Sequence, residues 1–112
     1  MKSDEFESVE ERDEVYVYHV TGKENAANIQ EEGLIPSPSI SMPLDFVYVT
    51  PTKEDAQEVI DAYYAGLNDQ VAVFKARVMQ GALIEDPDPC GDLNSYAHEG
   101  HIYPVDIEQV EL

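Results

Sequence analysis

The sequence predicts a single α+β domain with small mixed sheets and two short helices, and three observations lead to this fold class. Strand patterns outnumber helix patterns along the chain. The two kinds of pattern do not alternate regularly, as they would in a doubly wound parallel sheet. The chain of 112 residues is also long enough for one domain with a hydrophobic core, and it is short for two domains.

The first 13 residues are predicted to form a flexible acidic tail, and residues 14–112 the folded domain. Between Lys2 and Asp13 the only apolar side chains are those of Phe6 and Val9. They cannot bury enough surface to offset the entropy lost on ordering the segment.

A strand is predicted over residues 15–21, where Val15, Val17 and His19 share one face because side chains alternate along a strand. His19 thus closes an otherwise apolar row at the end of the strand. Residues 23–32 then follow a helical period, and Gly33 is the residue type that ends a helix with a positive φ.

A loop is predicted over residues 35–45, which contain three prolines and three serines. A second strand follows over residues 46–50, with Tyr48 in its middle and Thr50 at its exit. Thr52 and Asp55 resemble a capping box, in which a hydroxyl accepts a hydrogen bond from a main-chain N–H three residues later. They predict the start of a second helix that runs to Gly66.

The third strand is predicted over residues 71–78, with a short extension at 82–84 and a final strand over 107–112. The apolar face of this third strand consists of every second residue, namely Ala72, Phe74, Ala76 and Val78. Between the extension and the final strand, residues 85–89 concentrate carboxylates at a proline-fixed turn, and residues 90–99 are predicted to be a loop.

The composition limits the possible partners and location. The chain has 24 acidic and 6 basic residues and a formal net charge of −18, which repels nucleic acid backbones and anionic membranes. Such a surface favours a salt-rich, halophilic cytoplasm, where screening removes self-repulsion.

Cys90 is the only cysteine, which excludes an internal disulfide and a thiolate-rich zinc site. Without a signal or transmembrane pattern, the chain is expected to be cytoplasmic.

Three polar side chains follow strand patterns in order: His19, then Tyr48, then an acid after the third strand. The segments that carry them are Tyr18-His-Val-Thr21, Val47-Tyr-Val-Thr50 with Asp55-Ala56, Gly81 with Glu85-Asp-Pro87, and Ser95-Tyr96. In these motifs the chain resembles the ADP-ribosyltransferase superfamily, and within it the small rifampicin ADP-ribosyltransferases most closely. The resemblance covers about residues 15–112 and implies an ADP-ribosyltransferase-like domain.

This resemblance implies NAD as a substrate and an acceptor that the sequence does not identify. His19 would hydrogen-bond the ribose hydroxyls, with Thr21 and Thr50 beside the dinucleotide, and Tyr48 would stack on the nicotinamide ring. Asp86, or Glu85 as the alternative, would be the acid. Cleavage of the nicotinamide–ribose bond passes through an oxocarbenium-like state with positive charge on the ribose. A fixed carboxylate near the ribose stabilises that charge.

Two other functions stay open on the sequence. The RNA 2′-phosphotransferase type of the superfamily also has an isoleucine, a glycine and a leucine after its histidine motif, as at Ile29 and Gly33-Leu34, but it grips phosphates with several arginines. This chain has Arg12 and Arg77. The second alternative is an inactive binding module of the same fold. His98 and His101 are one residue short of the spacing that presents two imidazoles on one helix face, and no metal site is predicted.

Overall fold

The computed structural model of the chain describes residues 7–8, 14–34, 46–85 and 96–112, and the described part is an α+β fold. Seven strands and two α-helices lie among these residues. The strands are β1 (Glu7–Ser8), β2 (Glu14–Gly22), β3 (Phe46–Val49), β4 (Val71–Met79), β5 (Leu83–Glu85), β6 (Tyr96–Glu99) and β7 (Ile107–Val110). The helices are α1 (Ala26–Glu32) and α2 (Lys53–Tyr63), and single 3-10 turns precede α1, β4, β5 and β7.

The described strands form two small sheets. The first has the order β1-β2-β4-β7 and the second the order β3-β6-β5. Every pairing between these strands is antiparallel, which corrects the predicted mixed sheets. The reason lies in the connections: α1 and α2 each join a strand of one sheet to a strand of the other, so neither helix produces a parallel pair within a sheet.

Residues 96–99 correct the predicted loop over residues 90–99. They form β6, the central strand of the second sheet, and Tyr96, Ala97 and His98 are buried. The run Tyr-Ala-His-Glu has none of the β-branched residues that indicated β3, so pairing with β3 and β5 on its two sides defines the strand. The predicted tail also contributes a strand, because Glu7 and Ser8 pair with Tyr16 and Val15.

Within the described residues the other predicted strands and both helices are confirmed, although α2 ends at Tyr63 and not at the predicted Gly66. The predicted loop over residues 35–45 and the part of the predicted turn and loop over residues 86–95 lie outside the described residues.

Gly33 follows α1 with φ of 87°, and its N–H donates to the Ile29 carbonyl oxygen at 2.8 Å. At the start of α2 the Asp55 N–H donates to Thr52 Oγ1 at 3.1 Å, and the Thr52 hydroxyl donates to the Asp55 carboxylate at 2.8 Å. Both helices therefore begin or end where local chemistry predicts.

The core has two parts on opposite faces of the first sheet. The larger part lies between α1 and the two sheets, and it includes the predicted apolar face of β4. The smaller part lies under α2, where Ala56 and Ile60 pack against Tyr18 and Val73. No helix in the described ranges has the length and apolarity to cross a lipid bilayer.

An isolated antiparallel bridge connects the two sheets. Tyr18 of β2 and Thr50, which directly follows β3, exchange both main-chain hydrogen bonds at 2.8 Å. The two strands that carry His19 and Tyr48 therefore meet at the bridge.

Candidate functional site

The His19 imidazole lies one residue beyond this bridge and contacts the main chain of β3. Its Nδ1 is 2.7 Å from the Tyr48 carbonyl oxygen. A carbonyl oxygen can only accept, so Nδ1 carries the proton of this bond. Burial lowers the pKa of His19 below its ordinary value, and the hydrogen bond to Tyr48 opposes that shift. The ring is thus neutral near pH 7, with Nε2 as a hydrogen-bond acceptor.

His19 and Thr21 line a cleft of 290 Å³ together with α1 and the residues next to it. The other described residues that line the cleft are Asn25, Asn28, Ile29, Glu32, Gly33 and Leu34. The volume is near the lower end of small-molecule sites, which span about 300–1,000 Å³. It suits a small ligand or one part of a larger ligand.

A polar strip of α1 and its N-cap forms one side of this cleft. Asn25, Asn28 and Glu32 fall on one helical face because they are three and four residues apart. Asn25 Nδ2 donates to Thr21 Oγ1 at 3.0 Å, which leaves the Thr21 hydroxyl proton available to a ligand. The sequence pattern indicated Thr21 but none of these three residues. Their spacing around the buried Ile29 was the available signal.

Tyr48 contributes its main chain to the His19 contact. Its neighbours Val47 and Val49 are buried in the larger core, so the Tyr48 side chain projects from the other face of β3. Its hydroxyl oxygen is buried, and Tyr48 is not among the residues that line the His19 cleft. The structure thus brings the His19 ring to the Tyr48 main chain, while the phenol ring lies outside the cleft.

The remaining predicted site residues have separate positions. Thr50 is buried at the bridge between the sheets, where its hydroxyl is 3.5 Å from the Tyr18 carbonyl oxygen. The main chain of Glu85 ends β5 opposite Tyr96. Asp86 lies outside the described residues.

The two later histidines also contact main-chain carbonyls. His98 Nδ1 is 3.1 Å from the Gly100 oxygen, and His101 Nε2 is 2.5 Å from the Glu32 oxygen. The second contact attaches the last turn of α1 to the segment before β7. Within the described ranges, no cluster of three or more His, Cys, Asp or Glu residues could hold a metal ion.

Comparison of the chain with protein-family models, with curated proteins and with solved structures finds no match.

Proposed function

We propose that the chain is an ADP-ribosyltransferase-like domain that binds NAD and transfers its ADP-ribosyl group to an acceptor, or to water as an NAD glycohydrolase. The observation that carries the proposal is the His19 imidazole at the cleft, with Nδ1–H bound to the Tyr48 carbonyl. This bond leaves Nε2 to accept a hydrogen bond. The ribose hydroxyls are among the groups of NAD that can donate one.

In the proposed reaction the bond between the nicotinamide nitrogen and ribose C1′ breaks, and nicotinamide leaves with the electron pair. The acceptor oxygen or nitrogen then bonds to C1′ and loses its proton. Positive charge develops on the ribose ring during this step and is stabilised by a nearby carboxylate. Asp86 is proposed for that role, with Glu85 as the alternative. The Tyr48 ring does not line the His19 cleft, so a nicotinamide held there would not stack on it, and the predicted stacking is not part of this proposal.

The arginines favour this proposal over an RNA 2′-phosphotransferase. Arg77 forms ion pairs with Glu14 at 3.4 Å and with Asp106 at 2.9 Å, and it lines a different cleft. Arg12 lies outside the described residues. The described part of the His19 cleft therefore has no guanidinium to grip a phosphate.

The proposal is tested by NAD turnover at about 2 M KCl, because the acidic chain is expected to need screening to stay folded. Nicotinamide release is measured by chromatography for the wild type and for His19→Phe, which keeps a planar ring but has no nitrogen. We expect release by the wild type and a loss of about tenfold or more in kcat/KM for the variant, the cost of one hydrogen bond to substrate.

The matched control is His98→Phe, because His98 also holds a main-chain carbonyl through Nδ1 but lies in the second sheet. It should keep wild-type turnover wherever it is folded. If the folded wild type neither releases nicotinamide nor gains thermal stability with NAD, the enzyme proposal is refuted and the inactive binding module is favoured.

A further inference from the structure

The His19 cleft has an unusual charge for a site that would hold a dinucleotide. Its described lining contains a threonine, two asparagines and a glutamate, and neither a lysine nor an arginine. The imidazole beside them is neutral near pH 7. A pyrophosphate would find no cationic side chain there, whereas a positively charged group would find the Glu32 residue.

Two described basic residues that contact other groups are Lys75 and Arg77 of β4. Both lie on the face of the first sheet opposite to that of His19. Lys75 Nζ is 4.3 Å from the centre of the Tyr16 ring, and Arg77 is held by its ion pairs with acids. Both line a separate cleft of 220 Å³. The bases of β4 therefore cannot compensate anionic groups in the His19 cleft.

The polar strip of α1 is held in place at both ends. At its start Asn25 is bonded to the Thr21 hydroxyl. At its end the Glu32 carbonyl accepts from His101 Nε2, and the His101 ring is stacked on Tyr103 with ring centres 4.4 Å apart. The Glu32 side chain is exposed and so is accessible to a ligand. The helix that carries the strip is thus held at both ends, and the strip includes one exposed carboxylate, that of Glu32.

We propose that the His19 cleft selects the cationic, hydroxyl-bearing half of its ligand, an N-ribosyl pyridinium, and that Glu32 is the residue that confers the preference for the cation. The ribose hydroxyls donate to His19 and bond with Thr21 and the asparagines, and phosphates extend out of the cleft. This inference rests on the proposed function, because NAD supplies the pyridinium nucleoside.

The inference is tested by binding, without turnover, at about 1 M KCl. Three probes are titrated by calorimetry: nicotinamide riboside, its neutral 1,4-dihydro form, and nicotinamide mononucleotide, which adds a phosphate. The cationic riboside should bind about two- to threefold more tightly than the neutral form, because an exposed charge pair in direct contact is weakened but not abolished at this salt concentration. The mononucleotide should bind no more tightly than the riboside.

Glu32→Gln and Glu31→Gln are the decisive pair of variants. Both remove one charge from neighbouring positions of the same short helix, and Glu31 does not line the cleft. Glu32→Gln should lose the two- to threefold preference for the cation, about the value of one exposed ion pair in this salt, and Glu31→Gln should keep it. Far-ultraviolet circular dichroism confirms that both variants fold.

Two results overturn the inference: equal binding of the charged and neutral ribosides by the wild type, or the same preference in Glu32→Gln as in Glu31→Gln. These results are separate from NAD turnover. Cleavage of NAD without any effect of Glu32 refutes only the selection. Selective binding of the riboside without NAD cleavage refutes the enzyme and supports the selection.

Discussion

At the scale of single residues, the His19 contact joins the two sheets to the candidate cleft. The imidazole donates to the Tyr48 carbonyl just beyond the bridge between Tyr18 and Thr50. The same contact determines which ring nitrogen faces a ligand as an acceptor. Packing and ligand binding therefore depend on one neutral tautomer of this side chain.

His19 should give the stability of the fold a pH dependence. Burial lowers its folded-state pKa, so the unfolded chain, with a pKa of about 6.5, binds the proton more readily. Its contribution is fully present above pH about 6.5 and is lost as the pH falls through the folded pKa. We expect the free energy of unfolding of the wild type to fall more than that of His19→Phe between roughly pH 7.5 and 5.5.

This prediction is checked by urea unfolding of both proteins at constant high KCl. The carboxylates titrate in both chains, so their contribution largely cancels in the difference. Parallel pH curves for the two proteins would show that His19 is not desolvated in the folded state.

At the scale of elements, α1 is short, and the contacts at its C-terminal end position it against the rest of the fold. Its seven residues include only one buried side chain, that of Ile29. The end of the helix is fixed by Gly33, by a bridge between Leu34 and Ile102, and by His101. Because α1 lines the cleft, these contacts also set the geometry of the site.

Gly33→Ala should destabilise the protein by about 3 kcal/mol. A Cβ at this position would overlap the Ile102 carbonyl oxygen, and φ of 87° is strained for any residue with a side chain. The control is Gly81→Ala, because a Cβ there meets no atom within 4 Å. That change should stay within about 0.5 kcal/mol. Urea unfolding measures both, and equal effects would contradict the close packing at Gly33.

At the scale of the whole molecule, the net charge of −18 acts on every part of the fold. The described ion pairs of Arg77 neutralise few of the 24 acids. Self-repulsion is therefore expected to oppose the folded state unless salt screens it.

Lowering KCl from about 2 M to about 0.1 M should lower the unfolding temperature and expand the chain, because the Debye length grows from below 3 Å to about 10 Å. Differential scanning calorimetry and small-angle scattering measure these effects. Sucrose at matched osmolality is the control, since it does not screen charge. An unfolding temperature that is unchanged at low salt would refute the halophilic interpretation.

Elements with local signals could be identified from the order of residues alone. Alternation identified β2, β3 and β4, because each places apolar residues on one face over several positions. Hydroxyl capping at Thr52 and the positive φ of Gly33 marked helix ends without reference to distant residues. These features depend on backbone chemistry within a few residues.

The strand pairings and the lining of the cleft depend on residues that are far apart in the chain, so local patterns did not reveal them. β6 has no β-branched residue to indicate a strand, and its place between β3 and β5 comes from partners far along the chain. The polar residues of α1 were missed because an exposed helix side and a ligand-facing side have the same composition. Strand alternation does not specify which sheet a strand joins, so the Tyr48 ring could be placed only when Val47 and Val49 were located in the core.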